Sequence, residues 1–331
     1  MSIFQFISRW RALALLVPAI GLGSFLEADA LSVRPAANHP EALCGLPSVT
    51  LDRRQALVRG TIAATTGLIA SGVIPPFVAS ADAIPPTIAP IATLSDGGAF
   101  PLASVLARNQ KGFARAVRDS GISRDQLYIC GSVVSNRASG YEAARQATSK
   151  GWQQNMEKFS YGNIEYLDQI MLDYPGPDCE SIQGQWASFE SMHAQKLTKS
   201  LSVSNFSPAE LDCVLQKAKV KPVVNQLPYS VAYHPDRNVI VENKKRGVLV
   251  QAWAPLGGSL GGRFSSSMKG TCAQIGKRYG KSFAQVALRW IVQTGGAFTT
   301  QSKNKAHFTE DLDIFDFELT EDEMARLTAL A

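Results

Sequence analysis

The chain has 331 residues, of which 45% are hydrophobic and 18% charged, and its formal net charge at neutral pH is +5. This length can bury a large hydrophobic core, and the positive charges form no arginine-rich helix or basic run, so the composition gives no support for a nucleic-acid partner. The absence of a CxxC motif and of metal-site spacing predicts buried apolar thiols at Cys130, Cys179, Cys213 and Cys272.

The first 83 residues have the form of two export signals in series. Residues 1–30 carry two arginines, an apolar run and a small-residue cleavage site, which is the pattern of a secretory signal peptide. Residues 31–83 begin with a transit-like region poor in acidic residues. In its second part Arg53 and Arg54 precede a mildly apolar stretch that ends at Ala83, as in a twin-arginine signal. The alternative, a single anchoring helix, is disfavoured because Gly, Thr and a pair of Pro residues make this stretch a poor membrane span.

The order of these signals indicates where the protein goes. Two signals in series imply two membranes to cross, and the arrangement resembles the targeting of thylakoid-lumen proteins in algae whose plastids lie inside the secretory system. We therefore expect residues 84–331 to form the mature protein, a single domain in the plastid thylakoid lumen without a stable membrane anchor. This length is enough for one sizeable core and too short for two domains of this kind.

Residues 84–331 alternate between strand-like and helix-like segments. Seven runs rich in apolar and β-branched residues read as strands: PLASVLARN, DQLYICGSVV, YLDQIMLDYPG, LTKSLSVSNFS, KPVVNQLPYS, RGVLVQAWAPLGG and GAFTTQS. The helix after the fourth strand opens with a capping box of Ser207, Pro208 and Glu210, and the last helix opens with another at residues 320–323. This alternation predicts a parallel βα barrel, whose chemistry lies at the C-terminal ends of its strands.

Three successive strands end in polar or aromatic side chains. The first ends at Ser204 and Asn205, the next has Gln226 near its end, and the third ends at Trp253. Because the carboxyl ends of parallel strands meet at one rim of a barrel, these side chains are candidates for a binding site. They also have a simpler explanation, since turns favour Ser and Asn, Gln can satisfy backbone groups, and Trp can serve only packing.

The segments SGISRDQLYI, SLSVSNFSPAEL, VVNQLPYSVAYHP, AWAPLGG and FDFELTEDEMARL resemble, in this order, the aldo/keto reductase family, from about Leu94 to the C-terminus. The resemblance implies a (β/α)8 barrel that transfers hydride between NADPH and a small carbonyl substrate, without a Rossmann domain or a metal. It also implies that Ser204, Asn205 and Gln226 hold the nicotinamide carboxamide while Trp253 stacks on the nicotinamide ring.

The rest of the NADP(H) cleft follows from the same resemblance. It assigns these cofactor-binding residues: Pro255, Leu256, Gly257, Ser302 and Glu310. At the two cationic positions that clamp the 2′-phosphate, however, this chain has Gln301 and His307. Each lost charge-assisted hydrogen bond is worth about 1.5–3 kcal/mol. The nearby Lys303 and Lys305 replace the two lost cationic contacts only in part. We therefore expect NADP(H) binding to be weak or absent.

The family's catalytic residues are missing. The family protonates the new alkoxide with a Tyr whose pKa is lowered by a Lys and an Asp, and a His orients the substrate oxygen. In this chain the Lys position is Ser132 and the His position is Asp173. The strand that should carry the Asp and the Tyr is absent between Arg108 and Gly112, so we expect a reduced barrel with about one βα unit missing near residues 108–112.

The sequence therefore predicts an aldo/keto reductase-like protein whose NADP(H)-dependent reduction of carbonyls to alcohols is impaired. The hydroxyl of Ser132 is too weak an acid to replace the Tyr, and an ionised Asp173 would repel the developing oxyanion unless burial keeps it protonated. One alternative is a non-catalytic nucleotide-binding, scaffold or accessory protein of the thylakoid lumen with a lumenal protein partner. A lost exon is another, although it would not restore the Lys or the His.

Overall fold

The structure, a computed structural model, describes residues 90–106, 109–234, 238–258 and 262–331. The two predicted export signals, residues 1–30 and 31–83, lie outside the described residues. Within the described ranges, no helix is both long and apolar enough to span a bilayer.

The described residues form a hairpin, a larger sheet and a set of helices. The strands are β1 (Ile91–Thr93), β2 (Ala99–Pro101), β3 (Ala103–Val105), β4 (Cys130–Val134), β5 (Leu167–Asp173), β6 (Thr198–Ser204), β7 (Val224–Pro228), β8 (Leu249–Trp253) and β9 (Ala297–Thr300). The α-helices are α1 (Gln110–Asp119), α2 (Tyr141–Ser160), α3 (Cys179–Ala194), α4 (Pro208–Leu215), α5 (Val239–Lys245), α6 (Ser266–Gly276), α7 (Phe283–Gln293), α8 (Lys305–Leu312) and α9 (Glu321–Thr328).

The larger sheet contains the seven strands that the sequence predicts. Its order is β3-β9-β8-β7-β6-β5-β4, and every neighbouring pair is parallel. The two terminal strands, β3 and β4, pair with each other nowhere in the described part of the chain, although a closed eightfold barrel would place one more strand between them. The fold is thus a reduced (β/α)8 barrel, one βα unit short where the sequence predicts the gap. We call the unpaired outer edges of β3 and β4 the seam.

Two side-chain amides protect part of the seam. Asn155, a buried residue of α2, donates from Nδ2 to the carbonyl oxygen of Ser132 on β4 over 2.8 Å. Gln110, the first residue of α1, donates from Nε2 to Oδ1 of Asn155 over 2.7 Å. Buried backbone carbonyls require a hydrogen-bond partner, and at this edge a side chain supplies what a neighbouring strand would otherwise provide.

The helix starts follow the local sequence. Ser207 and Glu210 form the predicted capping box at α4, with Pro208 in its first turn, and Thr320 forms the one predicted at α9 with Glu323. Each box satisfies backbone N–H groups that the first helical turn leaves unpaired. These two predictions are confirmed.

The hairpin β1–β2 packs under the N-terminal ends of the barrel strands. Leu94 and Phe100 from the hairpin share a buried cluster with Val223 and Val224 at the start of β7 and with Ala297 at the start of β9. These two short strands were not predicted from the sequence. The hairpin covers the end of the barrel opposite to the predicted site, so the site must open at the C-terminal ends of the strands.

The cysteines differ from the sequence-based expectation. Cys179 at the start of α3 and Cys213 in α4 form a disulfide with a Cα–Cα distance of 5.4 Å, and Cys130 is exposed, so buried apolar thiols were a wrong prediction for these three. Only Cys272 is a buried thiol as predicted. The disulfide joins residues 34 apart in sequence, because two consecutive βα units place their helices side by side. Spacing alone does not reveal such a pair.

Candidate functional site

The candidate site is built on a row of side chains across four neighbouring strands, from the C-terminal ends of β5 and β6 to the middle of β7 and β8. In the parallel register Asp173 of β5 lies beside Ser204 of β6, Ser204 beside Gln226 of β7, and Gln226 beside Gln251 of β8. Register partners in a sheet point to the same face, so all four side chains belong to one layer. We call these four residues the mouth row.

Asn205 connects this row to the predicted stacking residue. Its Nδ2 donates to Oδ1 of Asp173 and to Oγ of Ser204, both over 3.0 Å, while its Oδ1 accepts from Nε1 of Trp253 over 3.3 Å. The backbone of Asn205 is left-handed, with φ 63°, a conformation that Asn tolerates better than most residues. This turn directs the amide between Asp173 and Trp253, so the structure brings together the predicted residues Ser204, Asn205 and Trp253.

Asp173 is a carboxyl group in an unfavourable environment for its charge. Burial raises its pKa above the ordinary value, and the hydrogen bonds from Ser204 and Asn205 offset part of that effect. None of the described ion pairs includes Asp173. The next residue, Tyr174, has a left-handed backbone with φ 69° and a side chain that is 39% exposed. Its phenol has a raised pKa as well, through burial and through the nearby charge of Asp173.

The other half of the mouth row is an amide chain of Gln226, which the sequence predicts as a site residue, and Gln251, which it does not. Gln226 donates from Nε2 to Oε1 of Gln251 over 2.7 Å, and Gln251 donates from Nε2 to Oγ of Ser104 on β3 over 3.0 Å. The only sequence signal for Gln251 was a single amide within the apolar run RGVLVQAW. The chain extends the polar layer across to β3, the strand at the far edge of the sheet.

Ser132 lies outside the mouth row. It stands two residues before Val134, the β4 residue that pairs with Asp173, and its own register partner is Met171. The structure thus places the two positions that the sequence analysis predicts to be degenerate, Ser132 and Asp173, on adjacent strands, β4 and β5. Their side chains carry a hydroxyl and a carboxyl group.

The glycine-rich loop after β8 borders a groove. Pro255 is buried, Leu256 and Gly257 are half-buried, and the N–H of Gly258 donates to the carbonyl of Gly262 over 3.0 Å. Gly262 has φ +74°, and a Cβ there would lie 2.5 Å from the carbonyl oxygen of Ala232, so only glycine fits. The groove has a volume of about 500 Å³ and is lined by Leu256, Gly257, Gly258, Gly262, Arg263, Phe264 and Lys269.

Two exposed cations of this groove, Arg263 and Lys269, were not identified from the sequence. They lie 6 and 12 residues beyond Gly257, the last predicted loop residue, and no motif marked them. A guanidinium and an ammonium group supply the positive charge that suits a phosphate, while the N–H groups of Gly257 and Gly258 already donate to the carbonyls of Ala254 and Gly262.

The remaining predicted cofactor residues lie beyond β9 and have their own hydrogen bonds. Ser302 contacts Nδ1 of His307 over 3.0 Å and accepts from the N–H of Asn304. Glu310 on α8 accepts a hydrogen bond from the hydroxyl of Ser282. Among the described hydrogen bonds, none joins Ser302 or Glu310 to Asn205 or Trp253.

The chemistry of the donor set fits a nicotinamide nucleotide. A carboxamide needs both donors and acceptors, which Ser204, Asn205 and Gln226 offer, and the half-buried indole of Trp253 offers a flat apolar surface beside them. Arg263 and Lys269 supply positive charge along the groove. The described residues contain no cluster of side chains that could hold a metal ion.

The comparison with known protein families identifies one match. The sequence profile described as "Aldo/keto reductase family" matches residues 102–331. Among characterised proteins, the chain is 31% identical over 226 residues to the glyoxal reductase of Bacillus subtilis, covering 67% of this chain and 75% of that protein. It is 30% identical over 226 residues to the 9,11-endoperoxide prostaglandin H2 reductase of Trypanosoma cruzi, covering 67% and 74%.

Solved structures give the same result for the fold. An aldo/keto reductase from Brucella melitensis superposes with a TM-score of 0.64 at 24% identity, over 73% of this chain and all of that one. A Bombyx mori aldo-keto reductase in complex with NADP superposes with a TM-score of 0.61 at 19% identity, over 73% of this chain and 92% of that one. At these identities the similarity concerns the fold alone.

Proposed function

This chain belongs to the aldo/keto reductase family, and on that premise we propose that it binds NADP(H) at the mouth of the barrel while its carbonyl reduction is impaired at neutral pH. The observation that carries the proposal is the arrangement of Asn205 between Asp173 and Trp253. This arrangement keeps the groups that suit a nicotinamide, and it has the carboxyl group of Asp173 at the position of the family's catalytic His.

Ser204, Asn205 and Gln226 would hold the carboxamide, and Trp253 would stack against the ring. The bound nucleotide supplies the hydride. To receive the carboxamide, Asn205 must exchange its hydrogen bonds to Asp173 and Ser204, and Gln226 must exchange its bond to Gln251. This competition, together with Gln301 and His307 at the positions of the 2′-phosphate clamp, lowers affinity. Arg263 and Lys269 offset part of the loss through the phosphates.

The chemical step is impaired because no suitable acid is available at neutral pH. Hydride arrival at the carbonyl carbon leaves negative charge on oxygen, which must be protonated or stabilised. The hydroxyl of Ser132 holds its proton too tightly for this role. An anionic Asp173 would repel the developing charge, so the site disfavours the transition state when this carboxyl is ionised.

A second candidate function is a non-catalytic scaffold or accessory protein of the thylakoid lumen with a lumenal protein partner. It is favoured by the observation that the amides of Asn205 and Gln226 are already engaged within the barrel. The disulfide between Cys179 and Cys213 supports a location in an oxidising compartment outside the cytosol, since disulfides are rare in reducing ones.

NADPH titration of the purified protein, followed by tryptophan fluorescence, separates these functions. A nucleotide binder shows saturable quenching that Trp253→Leu abolishes and that the control Trp152→Phe retains. An unimpaired reductase would also consume NADPH with simple aldehydes at neutral pH, which would contradict the proposal. A scaffold shows neither signal and co-purifies with a partner.

The proposed location needs a separate test. A fluorescent protein fused to residues 1–83 should reach the plastid interior, and replacement of Arg53 and Arg54 by Lys should stop it before the last membrane. Retention of the unaltered fusion in the cytosol would exclude the proposed location.

A further inference from the structure

Asp173 is the one carboxyl group of the mouth row. It is the last residue of β5, beside Val134 of β4 and Ser204 of β6, at the end of the barrel where the strands present their side chains. One hydrogen bond links it to Asn205, and one more links Asn205 to Trp253. The carboxyl therefore lies next to the residues that would hold the nicotinamide.

The surroundings of Asp173 suit a group that takes up and releases a proton. The side chains next to it on β4 and β6 are Val134, Ser204 and Asn205, none of which titrates. Tyr174 is the titratable neighbour, and its phenol stays neutral when Asp173 changes charge because its own pKa is raised. The barrel thus stabilises the carboxylate with two neutral donors and no described cation, while partial burial opposes the charge.

We propose that Asp173, in its protonated form, is the catalytic acid of this barrel and replaces the missing Tyr in an acid-dependent reduction of small aldehydes or ketones. The inference rests on the proposed function, because the hydride comes from NADPH bound against Trp253. In the step, the carbon of the C=O group gains the hydride, the π electrons move to oxygen, and oxygen takes the carboxyl proton of Asp173. The nicotinamide leaves oxidised, and the carboxylate regains a proton from water.

The same geometry explains why the reaction needs acid. Ser204 and Asn205 donate to the carboxylate that remains after proton transfer, so they favour the product form of Asp173. Only the fraction of molecules with a protonated carboxyl can react, and this fraction falls tenfold for each pH unit once the carboxyl is mostly ionised. The ionised carboxylate of Asp173 impairs the reaction at neutral pH. At low pH the same group is protonated and supplies the proton.

The test measures single-turnover oxidation of NADPH by a small aldehyde, together with NADPH quenching, across about pH 5 to 8. The wild-type rate should rise about tenfold per unit as pH falls, until it levels off. Asp173→Asn should abolish this turnover, Asp173→Glu should keep it with a displaced pH profile, and the exposed control Asp119→Asn should match the wild type. Quenching should be detectable in all four proteins, at a concentration that differs for the Asp173 variants because Asn205 donates to this side chain, and far-UV circular dichroism should report that each protein is folded.

A second readout does not depend on turnover. Carboxyl ¹³C NMR of the wild-type protein should show one resonance, absent from Asp173→Asn, whose titration midpoint lies above the ordinary value of an aspartate, because burial raises the pKa of Asp173. The proposal is overturned if turnover is independent of pH, if Asp173→Asn retains it, or if NADPH quenches but no aldehyde reacts at any pH; in the last case nucleotide binding still stands. Absence of quenching would remove both the proposed function and this inference.

Discussion

The run of strands from β5 to β8 and the seam between β3 and β4 satisfy their backbones in different ways. From β5 to β8 each strand pairs with neighbours on both sides, and the register aligns the mouth row. At the seam the neighbouring strand is absent, and Asn155 and Gln110 supply side-chain hydrogen bonds. The difference teaches that the mouth row lies where the strands are paired on both sides, whereas the seam, which lacks one βα unit, depends on side-chain amides for its hydrogen bonds.

The contrast between a buried and an open position should give the largest effect. Leu201 of β6 is fully buried, and Leu201→Ala should lower the free energy of unfolding by about 2–5 kcal/mol, because it leaves a cavity. Val134, at the seam, is 61% exposed. Val134→Ala should therefore change the free energy of unfolding by less than about 0.5 kcal/mol. Urea denaturation measures both variants. Equal losses would mean that Val134 is covered in solution and that the seam is not open.

The disulfide should contribute the next largest amount, on the paired side of the barrel. Replacing both Cys179 and Cys213 by Ser should cost about 2–4 kcal/mol, because the cross-link restricts the unfolded chain. Reductant should lower the urea midpoint of the wild type to that of the double variant and leave the double variant unchanged. Cys130→Ser, at an exposed free thiol, is the control with little expected effect. A wild type insensitive to reductant would show that the bond does not form.

The amide pair tests how the seam is stabilised. Asn155→Ala should cost about 1–3 kcal/mol, because it leaves the carbonyl of Ser132 and the amide of Gln110 without their partner. Gln110→Ala should cost less, and the double variant should cost less than the sum of the two. Gln146→Ala, on the exposed face of the same helix, is the matched control. Strict additivity of the two seam variants would show that the amides act independently.

The last comparison concerns pH and Asp311, a buried carboxyl group of α8. Burial raises the pKa of Asp311 to about 6, and the nearby hydroxyl of Thr300 offsets part of this. The folded state therefore holds this proton more tightly than the unfolded chain, and stability should fall as pH rises from about 4 to about 6, by at most about 1.4 kcal/mol per unit. Asp311→Asn should remove this part of the slope in urea titrations. If the free energy of unfolding of Asp311→Asn depends on pH as that of the wild type does, groups other than Asp311 cause this dependence.

Much of the fold could be predicted from the chain because its signals are local. Alternating strand and helix segments and the capping boxes at Ser207 and Thr320 depend on residues within a few positions of each other. The hairpin β1–β2 escaped because its two strands have only three residues each and little periodicity. Of the candidate site, the sequence could predict the residues at the strand ends, such as Asn205 and Trp253.

The sequence by itself determined which seven segments become the strands of the larger sheet, where α4 and α9 begin, and that residues 102–331 carry the family's pattern. Only the tertiary structure decided that Asn205 bridges Asp173 and Trp253, that Gln251 extends the mouth row, and that Cys179 meets Cys213. The physical reason is that these contacts depend on strand order and register, which bring together residues far apart in the chain. Helix caps and strand periodicity depend only on near neighbours, and the sequence therefore shows them directly.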